Sequence, residues 1–192
     1  RHISMVGVGN RHLSFLVGGM GCANDIYAIG QGCHGELGSG KKMNSVTFKK
    51  VDRCLFDCQV HKIFSGDNVT FYITQSGSIY ASGQYRNWID CSRPEPVEGV
   101  CKSWGVSQIA VGQDHVVLFG DNGSIYGLGQ NSMGELGMGH FDCIDLPHSI
   151  NFEDHDSFDD DFKRCDNDFM PKKFCNDNYM PAPKPRRYNP HA

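Results

Sequence analysis

Cysteine, histidine and carboxylate are the side chains here most able to do chemistry, and their spacing limits what they could hold. Cys54, Cys58 and His61 form Cys-x3-Cys-x2-His. Zinc takes four such ligands in a tetrahedron, so this run supplies three and needs a fourth from elsewhere. Cys143 stands in a looser group with His140 and His148. Neither group completes a ligand set, and an unpaired cysteine is commonly a small buried hydrophobe, so no metal centre and no cofactor are expected. His12 and His115 each lie three residues beyond a glycine, Gly9 and Gly112. Repetition at one structural position favours packing, or a hydrogen bond to a neighbouring turn, over catalysis. No serine or cysteine stands in a motif that would make either histidine a general base. Asp114 and Asp121 lie beside turns and read as turn caps. Gly35-Glu36-Leu37-Gly38-Ser39-Gly40 and Gly134-Glu135-Leu136-Gly137-Met138-Gly139 each put three glycines in six residues. A phosphate cradle needs a following Lys-Ser/Thr pair and a helix. Neither follows, so both runs read as turns that plug Leu37 and Leu136 into a core. No catalytic residue is expected.

The elements that carry these residues are repeated. Ile26-Tyr27-Ala28-Ile29-Gly30, Ile79-Tyr80-Ala81-Ser82-Gly83 and Ile125-Tyr126-Gly127-Leu128-Gly129 are copies of one block. Each follows a second block of two aliphatics and a glycine at steps of three: Ile3, Val6, Gly9; Val60, Ile63, Gly66; Val106, Ile109, Gly112. The glycine-to-glycine offsets are 57 and 46 residues, the period of a stacked supersecondary unit. Leu13–Leu16, Thr70–Ile73 and Val116–Phe119 are apolar and β-branched runs that read as strands. Gln75-Ser76-Gly77-Ser78 and Asp121-Asn122-Gly123-Ser124 turn two of them directly into the Ile-Tyr strand. The first copy spends residues 17–25 there and should form a longer loop. No helical apolar stripe runs through the repeats, and 23 of 192 residues are glycine, so the expected class is all-β. Tyr27, Tyr80 and Tyr126 should pack in the core with hydroxyls at the sheet edge.

Aliphatic-x-x-aliphatic-x-x-Gly-x-x-His, an apolar strand, Gly-Ser-Ile-Tyr-x-x-Gly and Asn-x-x-Gly-Glu-Leu-Gly-x-Gly together resemble the repeat of the regulator of chromosome condensation family. Residues Val106 to Gly139 match best, and Ile3 to Gly40 also match. Val60 to Asp90 departs: Gln84-Tyr85-Arg86-Asn87-Trp88-Ile89-Asp90 lacks the Gly-Glu-Leu-Gly turn, and Val69 stands in place of the histidine. The resemblance implies a partial β-propeller. Residues 1–145 would be about three blades, and 146–192 an extended, irregular, low-complexity tail. The family's propeller has seven blades. Three cannot close a ring, so a fragment of a longer polypeptide, or ends covered by a partner, is expected.

Composition narrows the setting. Nine scattered cysteines do not make a secreted disulfide scaffold and suit a reducing, intracellular compartment. No secretory signal or apolar run near the ~20 residues of a membrane helix is present. A net charge of −4 lacks the basic footprint of a nucleic-acid binder. Within the tail, Cys165-Asp166-Asn167-Asp168-Phe169-Met170-Pro171-Lys172 is echoed by Cys175-Asn176-Asp177-Asn178-Tyr179-Met180-Pro181. An aromatic and a methionine ahead of proline form an extended anchor with little ordering cost. Ten extended residues reach roughly 33 Å at most, so the two copies suit neighbouring sites on one surface. Phe169, Met170, Pro171, Tyr179, Met180 and Pro181 are therefore the expected partner-binding residues.

The expected function is non-enzymatic: a protein-binding scaffold held in a larger cytoskeletal or axonemal assembly, with assembly subunits or tubulin as partners. The resemblance also implies two alternatives. One is nucleotide exchange on the small GTPase Ran at chromatin, in the nucleus; the other is a substrate-recognition module of a ubiquitin ligase or kinase.

Overall fold

The computed structural model describes residues 2–18, 24–53, 56–86 and 88–151. Each repeat becomes one four-stranded antiparallel sheet whose strands follow in chain order. The first blade holds β1 (His2–Val8), β2 (His12–Gly18), β3 (Asp25–Gly30) and β4 (Ser45–Lys50). The second holds β5 (Val60–Ser65), β6 (Val69–Thr74), β7 (Ile79–Tyr85) and β8 (Ile89–Pro96). The third holds β9 (Val106–Val111), β10 (His115–Gly120), β11 (Ile125–Gly129) and β12 (Ile144–Ile150), with a short 3-10 turn at Lys102–Trp104 ahead of it. The change in composition at residue 146 falls inside β12.

Register shows that the repeats are structural copies. Ile26 pairs Leu16, Ile79 pairs Ile73 and Ile125 pairs Phe119, while Gly30, Gly83 and Gly129 pair His12, Val69 and His115. Each motif glycine is required twice over. Its φ is +113°, +116° or +111°, which costs an L side chain energy. A Cβ there would also lie 2.1–2.4 Å from the carbonyl oxygen of Arg11, Asn68 or Asp114. Those carbonyls instead accept the N–H of the next residue, Gln31, Gln84 or Gln130.

Apolar residues on alternate strand positions meet between blades. Leu16, Ile26, Ala28 and Leu37 of the first blade pack against Val60, Ile63, Tyr72 and Tyr80 of the second. Val69, Phe71, Ile79 and Tyr85 of the second pack with Val106, Ile109, Val116 and Leu118 of the third. Each large aliphatic or aromatic side chain so buried contributes about 1.5–3 kcal/mol. Leu37 and Leu136 are both buried, as the glycine-rich runs predicted. The second blade, covered on both faces, is the most buried, and all six residues of β6 are buried. On the first blade the opposite face is open, and Ile3, Val6, Val8, Val46 and Phe48 are exposed on it.

The hairpins form at 75–78 and 121–124, with Gly77 and Gly123 at positive φ. At the second, the cap is Asn122, whose Oδ1 accepts the Ser124 N–H at 3.0 Å, in place of the expected Asp121 carboxylate. Where the second repeat lacks Gly-Glu-Leu-Gly, β7 runs on and turns tightly into β8, so that Tyr85 pairs Ile89. Arg86 takes the left-handed turn position there, at φ +47°.

Candidate partner-binding rim

In an antiparallel blade the turn after the first strand and the loop after the third emerge at the same end. All three blades therefore present these loops on one rim. Its inner part is built from Gly9-Asn10-Arg11, Gly66-Asp67-Asn68 and Gly112-Gln113-Asp114. Each glycine donates its N–H to the carbonyl three residues on, His12, Val69 or His115, at 2.8–2.9 Å. That closes an identical turn in each blade and leaves the two middle side chains free to differ.

The turns converge on an open cleft of about 420 Å³ lined by Val8, Asn10, Ser65, Asp67, Val111 and Gln113 together with the three turn glycines, Gly9, Gly66 and Gly112. Asn10 Nδ2 donates to Asp67 Oδ1 at 2.6 Å across the first two blades. Asn68 Nδ2 reaches the other Asp67 oxygen at 3.4 Å, and Arg11 donates to Gln31 Oε1 at the edge. The cleft offers amide donors, amide acceptors and a carboxylate on a rigid frame. Such a surface suits a peptide or a loop of another protein, with hydrogen bonds setting its register.

Beneath the rim, His12 ties the first two blades together. Its ring is buried, with Nε2 2.8 Å from Thr70 Oγ1. Thr70 spends its one hydroxyl proton on the Glu36 carbonyl at 2.9 Å, so His12 Nε2 is the donor. Gly9 explains the motif spacing, since a Cβ there would sit 2.4 Å from the imidazole. Burial lowers the His12 pKa against the opposing pull of the Glu36 and Asp67 carboxylates, and the ring is held neutral. His115, at the same register in the third blade, is half-buried.

The opposite rim carries a second polar knot. Asp57 Oδ2 accepts from Ser76 Oγ and Ser78 Oγ, each at 2.6 Å, and from Lys102 Nζ at 3.1 Å. Desolvation alone would raise the carboxyl pKa, but these donors outweigh it and hold it well below the usual carboxylate range.

The six tail residues expected to bind a partner, Phe169, Met170, Pro171, Tyr179, Met180 and Pro181, lie outside the described residues, as does Cys54. Cys58 and His61 are described: the Cys58 sulfur accepts the Ser76 N–H at 3.3 Å, and His61 is exposed on β5. Cys143, His140 and His148 form no ligand group among the described residues, and His140 faces Asp142. Tyr80 is buried with its hydroxyl accepting the Asp57 N–H, while Tyr126 stacks on Trp104 at 3.9 Å. Cys91 is buried, and burial pushes its thiol up to about 11. Sequence reasoning missed Asn10, Asp67 and Gln113. Their signal was available: each directly follows a repeat glycine, where turn geometry is constant and side-chain identity varies.

No protein-family model matches the chain. The structure superposes on yeast RCC1 (Prp20), solved bound to Kap60, with a TM-score of 0.65 at 19% identity, over 79% of this chain and 37% of that one. These are regulator-of-chromosome-condensation-type repeats. Sequence relatives place such repeats in larger proteins. An uncharacterized protein, R345, of Acanthamoeba polyphaga mimivirus is 47% identical over 152 residues, 79% of this chain and 15% of that protein. The secretion-regulating guanine nucleotide exchange factor of Bos taurus is 28% identical over 122 residues, 60% of this chain and 26% of its own length. The chain thus spans about a seventh of the viral relative and about a quarter of the bovine one.

Proposed function

We propose that this chain is the docking part of a larger protein, a propeller segment that binds a protein partner through its loop rim and performs no bond chemistry of its own. The convergence of three equivalent turns on one polar cleft carries this reading. A rigid blade frame with variable turn residues holds hydrogen-bonding groups at fixed spacing, which lowers the ordering cost of binding. The duplicated Phe-Met-Pro and Tyr-Met-Pro segments supply extended anchors for the same assembly, in an intracellular, cytoskeletal or axonemal setting. The experiment is affinity capture from cells with the whole chain, with an Asp67→Lys/Gln113→Lys double variant and with a chain lacking residues 166–181. Each change is expected to deplete the same partner set about tenfold or more, as loss of a hot spot does. Equal capture by all three chains overturns the proposal.

A second reading is nucleotide exchange on a small GTPase, favoured by the match to an exchange factor. Release of a fluorescent guanine nucleotide from Ran tests it directly. Acceleration by the chain that is lost in the Asp67→Lys/Gln113→Lys variant would favour exchange over scaffolding.

A further inference from the structure

The first blade's glycine-rich turn brings together three side chains that the third blade's turn does not. Cys33, His34 and Glu36 place one sulfur, one ring nitrogen and one carboxylate oxygen within 4.8 Å of one another. Ser132, Met133 and Glu135 hold the matching positions in the third blade. What the two turns share is structural: Glu36 Oε2 accepts the His34 N–H at 2.8 Å, and Glu135 Oε2 accepts the Met133 N–H at 2.9 Å. That bond uses one carboxylate oxygen. In the first blade the residue is 0% exposed, and the second oxygen, Glu36 Oε1, is buried without a hydrogen-bond partner among the described residues. An unsatisfied buried carboxylate oxygen is costly, and natural proteins rarely keep one without a use. In the third blade Glu135 is exposed, so its carboxylate is open to solvent.

Two of the three ligand-to-ligand distances match those of a metal site, and the third, Cys33 Sγ to the Glu36 carboxylate, lies within 4.8 Å. Zinc bonds of about 2.3 Å to sulfur and 2.0–2.2 Å to nitrogen and oxygen, at tetrahedral angles, put sulfur and nitrogen about 3.5 Å apart and nitrogen and oxygen about 3.4 Å apart. Cys33 Sγ lies 3.4 Å from His34 Nδ1, and His34 Nδ1 lies 3.6 Å from Glu36 Oε1. The geometry points to a zinc-class divalent cation site formed by Cys33 Sγ, His34 Nδ1 and Glu36 Oε1, with water in the fourth position. Both outer ligands are reachable: Cys33 is exposed and His34 half-buried. The backbone bond to Oε2 orients the carboxylate, as a supporting hydrogen bond does in protein metal centres. Gln31 Nε2, 3.2 Å from His34 Nδ1, turns away when the lone pair goes to the cation. The Cys33 thiol gives up its proton to solvent on binding, so affinity falls as pH falls.

The test is cobalt(II), then zinc(II), titrated into the metal-free 192-residue chain. One equivalent of cobalt is expected to give tetrahedral visible bands and a thiolate charge-transfer band, both erased by zinc. A Cys33→Ser/His34→Met variant copies the third blade's turn and should fold. It is expected to lose the charge-transfer band and to weaken binding about 100-fold or more, at or beyond the upper end of the loss from removing a supporting residue. Cys58→Ser and Cys143→Ser should leave the bands unchanged. Absence of tetrahedral bands overturns the site, as does a charge-transfer band that survives in the Cys33→Ser/His34→Met variant or vanishes in Cys58→Ser. An ion pair of protonated His34 with Glu36 would give the first of these results.

Discussion

His12 shows how a residue that resembles a catalytic group is spent on architecture. One ring nitrogen donates to Thr70 of the next blade, and the hydroxyl passes the connection on to the backbone of Glu36. Because burial lowers its pKa below 6.5, the unfolded chain binds a proton there more readily than the folded one. The stability this gives is complete above about pH 6.5 and is lost as pH falls through the lowered value. His12→Gln is expected to cost about 1 kcal/mol at pH 7.5, the net worth of a buried hydrogen bond. It should also flatten the change in stability between pH 7.5 and 5. Urea denaturation midpoints at the two pH values measure both effects, and a variant as pH-dependent as the parent would contradict the assignment.

Hairpins and connectors form the next scale, and Asp57 is where three of them are tied. The segment entering β5, the β6–β7 hairpin and the turn ahead of β9 meet on one carboxylate oxygen, through Ser76, Ser78 and Lys102. With its pKa held down, Asp57 gives stability that is present above the ordinary value near 3.8 and lost as pH falls below it. Solvent screens a knot this exposed, so its net contribution is modest. Asp57→Asn is expected to lower the urea midpoint at pH 7 and to shrink the parent's loss of stability between pH 5 and 3. An unchanged acid profile would assign that loss to other carboxylates.

For the whole molecule, burial is uneven among the blades. The second has its faces covered by the first and third, whereas the first leaves Val46 94% and Phe48 62% exposed. Local opening free energy follows buried contact. Amide hydrogen exchange is therefore expected to be slowest in β6 and β7 and fastest in β4 and β12, with protection differing by at least tenfold. Equal protection in all three blades would mean that they unfold as one unit.

Much of this was written in the chain. Repeat spacing identified the first three strands of every blade, because those strands bury alternate apolar residues and turn on glycines that only a positive φ explains. The fourth strands were not legible: β4 is exposed at five of six positions and β12 carries Pro147 and no buried residue, so neither leaves an apolar period. The Cys-x3-Cys-x2-His spacing drew attention to Cys54, which lies outside the described residues, to Cys58, which accepts a backbone hydrogen bond, and to His61, which is exposed on its strand. Cys33, His34 and Glu36 escaped notice because they lie in and beside a glycine-rich run that reads as a turn, and the burial that sets Glu36 apart from Glu135 is not visible in the sequence. Sequence alone determined that this chain is a stack of β-sheets, since local periodicity and glycine placement dictate each blade. Tertiary structure decided what the turns can do, because the convergence of Asn10, Asp67 and Gln113, and the burial of one carboxylate oxygen at Glu36, arise only when blades 46 to 57 residues apart pack together.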